Sequence, residues 1–375
     1  MVFHPRPPQD VTPPESFTNP PLTPPGTDEK TTTSISRIVE EIRNRRKGRG
    51  LTRIPWACYI LDLQGYQNLL QELQRDESLW GFAQHKLRYD YFPSVNRLTL
   101  RMPTFLHEKF IASIVEEIYT QLKLIQGKAA EFAKEISTIG LASIEFADQD
   151  YGKHDPDAQF QHSKAQYPGV VIEVSYSQKR KDLARLADDY ILGSDGDIRA
   201  VVGLDIEYKA SKKATLSVWR PSIVTNEAGE KELVAAQTVS NECSYANIEW
   251  VFRNCNGTPN ASRTKGLELR LRDFTTEELA DSDGRLRDPI WISAHTLCAC
   301  LEGAENTASI VKQKAGVVRS TKPWVRKRRR ESTPPEELKH KDEKRFRAHE
   351  TRAEDDAAKD DSSYKTGSTS ETETN

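Results

Sequence analysis

Glu173 and Asp157 are the side chains of this chain best placed for chemistry. Glu173 lies inside Gly169-Val170-Val171-Ile172-Glu173-Val174-Ser175, a short apolar run that predicts a strand buried on both faces. An unpaired charge in such a strand is strongly unfavourable, so the carboxylate calls for a cation. Asp157 stands just ahead, at the start of a second short strand predicted over residues 158–161. Two carboxylates on neighbouring strands, followed by the basic start of a helix, is one way to hold Mg²⁺ against a phosphate. The helix is predicted over 178–191, with Leu183, Leu186, Ala187 and Tyr190 as its buried stripe. Lys179 precedes Leu183 by four residues and Leu186 by seven, which places it on the sheet-facing side of the first turn. Lys181 points roughly the opposite way, because successive helical residues turn by about 100°. A plain solvated lysine is the alternative for Lys179.

Pro156-Asp157, then after a gap Glu173-Val174-Ser175, resembles the PD-(D/E)XK motif of the restriction-endonuclease-like nuclease superfamily. The likeness is to a branch of restriction endonucleases that read P-D, then a V-V-x-E-V strand with a following serine, then a D-L helix ending in Tyr. Asp182-Leu183 and Tyr190 match that helix, and the resemblance spans residues 100–219. It implies a divalent-metal-dependent nuclease acting on the phosphodiester bonds of nucleic acid, DNA in preference to RNA. Asp157 and Glu173 would bind Mg²⁺ or Mn²⁺, with the Val174 carbonyl as a further ligand. Glu108 would be an extra acidic ligand from the helix before the sheet, with Glu116 or Glu117 behind it; a surface carboxylate favoured at a helix N-terminus is the competing reading. Lys179 would orient the attacking water or steady the pentacovalent oxygens, with Gln178 a lesser candidate for holding that water.

One departure is decisive for catalysis. The lysine expected two residues after Glu173 is Ser175. Ser175 and Ser177 share the face of Glu173, and a hydroxyl can bond a metal-bound water but supplies no positive charge. Three readings follow: a nuclease with a migrated lysine, a metal-binding but slow enzyme, or a catalytically inactive module that binds nucleic acid or protein.

Composition bounds these readings. The 375 residues suffice for one to three domains. Mean hydropathy is −0.69, so much of the chain lies outside any core. Lys and Arg number 54 against 56 Asp and Glu, a net charge of −2, so any nucleic-acid surface must be local. Five cysteines without a C-x-x-C pair predict reduced thiols rather than a zinc site. No apolar run approaches the ~18 residues of a membrane span, and the first residues do not read as a signal peptide. Gly193 and Gly196 follow a helix rather than open one, which argues against a nucleotide-phosphate loop, and no G-x-S-x-G elbow is present.

The elements that must position the carboxylates predict an α/β fold: a restriction-endonuclease-like mixed sheet with a central parallel strand pair and helices on both sides. Residues 1–33 read as a disordered Pro/Thr-rich tail, 34–99 as a helical region, 100–305 as the α/β core with a C-terminal elaboration, and 306–375 as a basic run and disordered tail. Helices are expected over 62–73, 77–87, from Thr104 along the stripe of Ile111, Ile114, Ile118 and Leu122, over 128–137 and over 293–305. Residues 56–61 read as buried. The core strands are expected at 141–147, 158–161 and 169–175, with further strands at 98–101, 198–208, 214–219, 247–252 and 267–271, and a polar loop at 225–232. Arg326, Lys327, Arg328, Arg329 and Arg330 form a basic run that predicts nuclear import through an import receptor; a nucleic-acid patch is the alternative.

Overall fold

The computed structural model describes residues 27–47, 56–101, 104–140, 142–176, 180–207, 211–239, 242–243, 250–283, 286, 288–316 and 348. The chain divides into two units, Met1–Ala315 and Gly316–Asn375, and the elements below belong to the first. In order they begin with α1 (Thr27–Arg46), β1 (Trp56–Ile60), α2 (Leu63–Gln74), α3 (Glu77–His85), β2 (Arg88–Phe92) and β3 (Arg97–Arg101). Then come α4 (Phe105–Leu124), α5 (Ala129–Lys134), β4 (Ile136–Thr138), β5 (Ile144–Glu145), β6 (Lys153–His154), β7 (Ala158–His162) and β8 (Val170–Tyr176). After α6 (Arg180–Gly193) follow β9 (Ala200–Ile206), β10 (Ala214–Thr225), β11 (Lys231–Val239), β12 (Glu242–Cys243) and β13 (Trp250–Arg253). The last are β14 (Gly266–Arg270), α7 (Glu277–Asp283), β15 (Pro289–Ser293) and α8 (Ala294–Gln313).

The fold is mixed α/β. The larger sheet runs β12-β11-β10-β9-β8-β7-β4, with β13 also on β10. Its centre is the expected parallel pair: β8 lies beside β9 in register from Val170↔Ala200 to Tyr176↔Ile206, and α6 makes the crossover. β7 is antiparallel to β8. Strand alternation then sorts the side chains. Val170, Ile172 and Val174 face a core shared with Phe110, Ile114 and Ile118 of α4 and Leu297 and Leu301 of α8. Val171 faces the opposite core, with Leu183, Leu186, Ala187 and Tyr190 of α6. Helices therefore cover both faces. Gly169 is fixed by a close approach: a Cβ there would lie 2.2 Å from the Phe274 backbone. Gly203 faces Glu173 across the parallel ladder, and a Cβ there would meet the Trp219 ring at 2.7 Å.

Side-chain caps fix the starts of α2 and α4, the latter at the expected Thr104. Asp62 accepts from Gly65 N at the head of α2, and Thr104 accepts from His107 N at the head of α4. Several expectations need correction. Residues 141–147 are not a core strand: Ile144–Glu145 pairs with β6 in a five-stranded sheet ordered β1-β3-β2-β6-β5. β4 takes the place beside β7 instead, so the helix expected to run to residue 137 stops at Lys134. Phe146 explains the departure, since its ring packs on Tyr190 and against Gly193 of α6 rather than in the ladder. The region 34–99 carries β1 and β2 besides its helices, and the strand expected at 98–101 is observed as β3. Residues 56–61 are not uniformly buried: β1 is an edge strand, Cys58 is exposed and Ile60 is 85% exposed. The polar loop expected at 225–232 is observed at 226–230, where it closes a hairpin with Gly229 at a φ of 81° and β10 and β11 paired from Trp219↔Gln237 to Thr225↔Lys231. Among the described residues no helix is long and apolar enough to cross a membrane.

Candidate functional site

Asp157, one residue before β7, and Glu173 of the adjacent β8 bring their carboxylates together on the α6 face of the sheet. Both are almost wholly buried. Both also accept from one nitrogen: Arg101 Nη1 lies 3.3 Å from Asp157 Oδ1 and 3.1 Å from Glu173 Oε2. Arg101 ends β3 and enters from the five-stranded sheet. Its Nε lies 2.9 Å from Asp90 Oδ2, and its Nη2 donates to Asp90 Oδ1 at 3.1 Å and to the Asp155 carbonyl. The cation that Glu173 requires is thus this guanidinium.

The remaining acceptor sites are also engaged. Arg88 Nη1 reaches Asp157 Oδ1 at 3.2 Å, and its Nη2 lies 3.3 Å from Glu108. Asp157 Oδ2 accepts from Val174 N at 2.8 Å and faces His107 Nε2 at 3.0 Å. Tyr190 donates its hydroxyl to Glu173 Oε1 at 2.7 Å. Ser175, in the motif-lysine position, donates to Asp205 at 2.7 Å. Around this centre His154 Nε2 lies 3.0 Å from Asp189, and Lys153 Nζ lies 2.9 Å from Asp155. Arg97 holds Asp182, the acidic residue of the D-L pair, at 2.7 Å and so ties the first turn of α6 to β3.

The protonation states follow from burial and neighbours. Burial would raise the Asp157 carboxyl, but the charges of His107 and Arg101 and the Val174 amide hold it well below the usual carboxylate range. Burial pushes Glu173 up to about 8; Arg101 opposes the shift and Asp157 adds to it. The two carboxylates share one guanidinium nitrogen and titrate as a pair, Asp157 shifted down and Glu173 shifted up. Burial pulls His107 down, yet Asp157 outweighs it and lifts the imidazole to about 9. His154 is likewise lowered by burial and raised further by Asp189 and Asp90, to about 9. Burial and the adjacent Glu173 push the Tyr190 phenol well above its ordinary value.

As placed, these residues do not fit a resident Mg²⁺ or Mn²⁺. A hard dication needs free carboxylate oxygens at about 2.0–2.6 Å, and Arg101 stands between the two carboxylates. Among the described residues no group of three or more His, Cys, Asp or Glu side chains is disposed to hold a metal. Glu108 comes to the rim of the cluster, half exposed, with Arg88 and His107 between it and Asp157. Glu116 and Glu117 lie further along α4, away from the centre. Lys179, Gln178 and Ser177 lie outside the described residues, as do the side chain of Lys181 and the run Arg326, Lys327, Arg328, Arg329 and Arg330.

Sequence reasoning missed Arg101, Arg88 and Asp90. The available signal was charge inside apolar strands: Arg88-Tyr89-Asp90-Tyr91-Phe92 is buried throughout, and Arg88 and Arg101 pair across β2 and β3. No protein-family model, curated protein or solved structure matches this chain.

Proposed function

We propose that this protein is a nuclease-like module that binds nucleic acid without metal-dependent cleavage, an internal arginine taking the cation's place. The observation that carries the loss of metal-dependent cleavage is Arg101 Nη1 donating to both Asp157 and Glu173. What supports a nuclease-like ancestry is the P-D and V-V-x-E-V-S spacing, together with the order of antiparallel strand, central strand, crossover helix and parallel strand. Ser175 agrees with loss of catalysis, because its hydroxyl is engaged by Asp205 and carries no charge.

The test pairs binding with cleavage. The purified full chain is titrated onto labelled single- and double-stranded DNA and RNA, then incubated with plasmid and RNA in Mg²⁺ or Mn²⁺. Binding with intact substrate is the expected result. Divalent-dependent cleavage, abolished in Lys179→Ala and kept in Lys181→Ala, would overturn the proposal in favour of a nuclease with a migrated lysine. Binding to neither polymer would move the module to a protein partner. Nuclear entry through Arg326, Lys327, Arg328, Arg329 and Arg330 belongs to the same proposal; alanine at all five should leave a fluorescent fusion in the cytoplasm.

A further inference from the structure

A cavity of about 600 Å³ opens between α2, α3, β2 and the β5–β6 region, and none of Arg101, Asp157 and Glu173 lines it. That volume falls in the range of small-molecule sites. Its walls are aromatic to an unusual degree: Tyr66, Trp80, Tyr89, Tyr91 and Phe146 all line it. Tyr66 and Tyr91 stack with ring centroids 4.0 Å apart and planes 7° from parallel. The hydroxyls of Tyr66 and Tyr89 lie 3.4 Å apart. The exposed amides of Gln67, Gln84 and Gln149 rim the same space.

We propose that this cavity is a binding site for a single nucleobase, carried either by a free nucleotide or by an unpaired residue of a strand. Tyr66 and Trp80, the two part-exposed rings among these aromatic walls, suit a flat heterocycle, because stacking on aromatic side chains is available to every base. Carboxamides suit its edge, since each offers a donor and an acceptor side by side. Charge selects against the alternatives. Lys153 Nζ already lies 3.8 Å over the Tyr89 ring and would repel a ligand cation from that face. The same ammonium is bonded to Asp155, and Glu145 also lines the space, so a compact anion gains no uncompensated positive charge there. A neutral planar ring with polar edges meets all three conditions. The inference concerns a site distinct from the Arg101 cluster and does not need that cluster to be inert.

The experiment is calorimetric titration of the full chain with adenosine, guanosine, cytidine and uridine 5′-monophosphates. A short unstructured oligonucleotide and the same oligonucleotide annealed as a blunt duplex are titrated alongside. Saturable binding of at least one mononucleotide, or of the single strand but not the duplex, is expected. The first outcome identifies a free nucleotide as a sufficient ligand; the second identifies a base presented by a strand. Trp80→Ala should weaken binding roughly tenfold or more, in line with removal of one stacking surface. Gln67→Ala with Gln84→Ala alters exposed amides only and should weaken binding while leaving the thermal midpoint unchanged. It therefore decides the matter if Trp80→Ala fails to fold. No saturable binding of any of these probes overturns the proposal, and so does binding that the amide pair leaves unaltered. Uptake of a tryptophan-containing peptide without any nucleotide overturns it too.

Discussion

The two faces of β8 are buried to the same degree, but only the α6 face carries charge beside its apolar packing. Val170 and Ile172 are 0% exposed against α4 and α8, while Glu173 is 1% exposed on the α6 side. The first face needs only volume and apolar surface, which many side-chain combinations supply. The second must satisfy each charge with a named partner, and those partners arrive from far along the chain: Arg101 from β3, Asp90 from β2, His107 from α4 and Tyr190 from α6. Burial by itself therefore says little about role. The charged face fixes how the five-stranded sheet meets the eight-stranded one, because Arg101 contacts both through a single side chain.

The largest effect expected from breaking this contrast is at Arg101. Arg101→Met removes the guanidinium while keeping much of its length, and leaves Asp90, Asp157 and Glu173 facing one another. Urea unfolding should show a loss of about 3–5 kcal/mol, the range for stranding a buried charge. Mn²⁺ should raise the midpoint of this variant and leave the wild type unmoved, since only the variant removes the guanidinium that bridges the two carboxylates. On the apolar face Ile172→Ala should lose about 2–4 kcal/mol through transfer and cavity terms, with no response to Mn²⁺. An Arg101→Met variant as stable as wild type would erase the distinction between the faces.

The apolar face was legible in the sequence and the charged one only in part. Gly169 to Ser175 announced a buried strand, the i, i+3, i+7 spacing of Ile111, Ile114 and Ile118 announced α4, and both are observed. Asp157 and Glu173 could be picked out because a carboxylate is out of place in such a run. Their counter-ion could not, because Arg101 and Glu173 are 72 residues apart and nothing local marks the pairing. The third core strand was misplaced for a related reason: Ile144 and Phe146 alternate correctly, but which sheet receives a two-residue strand is decided by packing on α6 rather than by pattern.

A smaller effect separates the faces by pH. His107 and His154 sit at about 9 in the folded protein, above the ordinary 6.5. Their contribution is complete below pH 6.5 and is lost as pH rises through 9. Glu173, raised from 4.5 to about 8, acts in the same direction and loses its contribution between those values. Asp157 is depressed, so its contribution is lost only in acid, as pH falls below 3.8. Thermal midpoints should therefore be highest in mildly acidic buffer and decline toward pH 9. His107→Gln should flatten the alkaline limb, whereas Ile172→Ala should lower the whole curve without changing its slope. Smaller again is Tyr190→Phe, which removes the donor to Glu173 Oε1. A loss of about 1–2 kcal/mol is expected, measured by urea unfolding against Leu186→Ala on the same helix as an apolar control.

The smallest effect belongs to Glu108, and it marks where the charged face ends. Glu108 is half exposed and touches the cluster only through Arg88 at 3.3 Å and His107 at 3.8 Å. Its bond with His107 is the main reason its carboxyl is lowered, burial opposing. Exposed pairs of this kind contribute about 0–1 kcal/mol, so Glu108→Gln should leave the urea midpoint nearly unchanged. The His107 imidazole should titrate slightly lower by NMR, because one of the groups holding its proton is gone, yet stay well above its ordinary value, because Asp157 remains 3.0 Å away. Were Glu108 a metal ligand, Glu108→Gln combined with Arg101→Met would abolish the Mn²⁺-dependent rise in midpoint expected of Arg101→Met alone. If it is only the rim of an arginine-centred cluster, the rise should persist in the double variant, since Asp90, Asp157 and Glu173 line the vacated space without it.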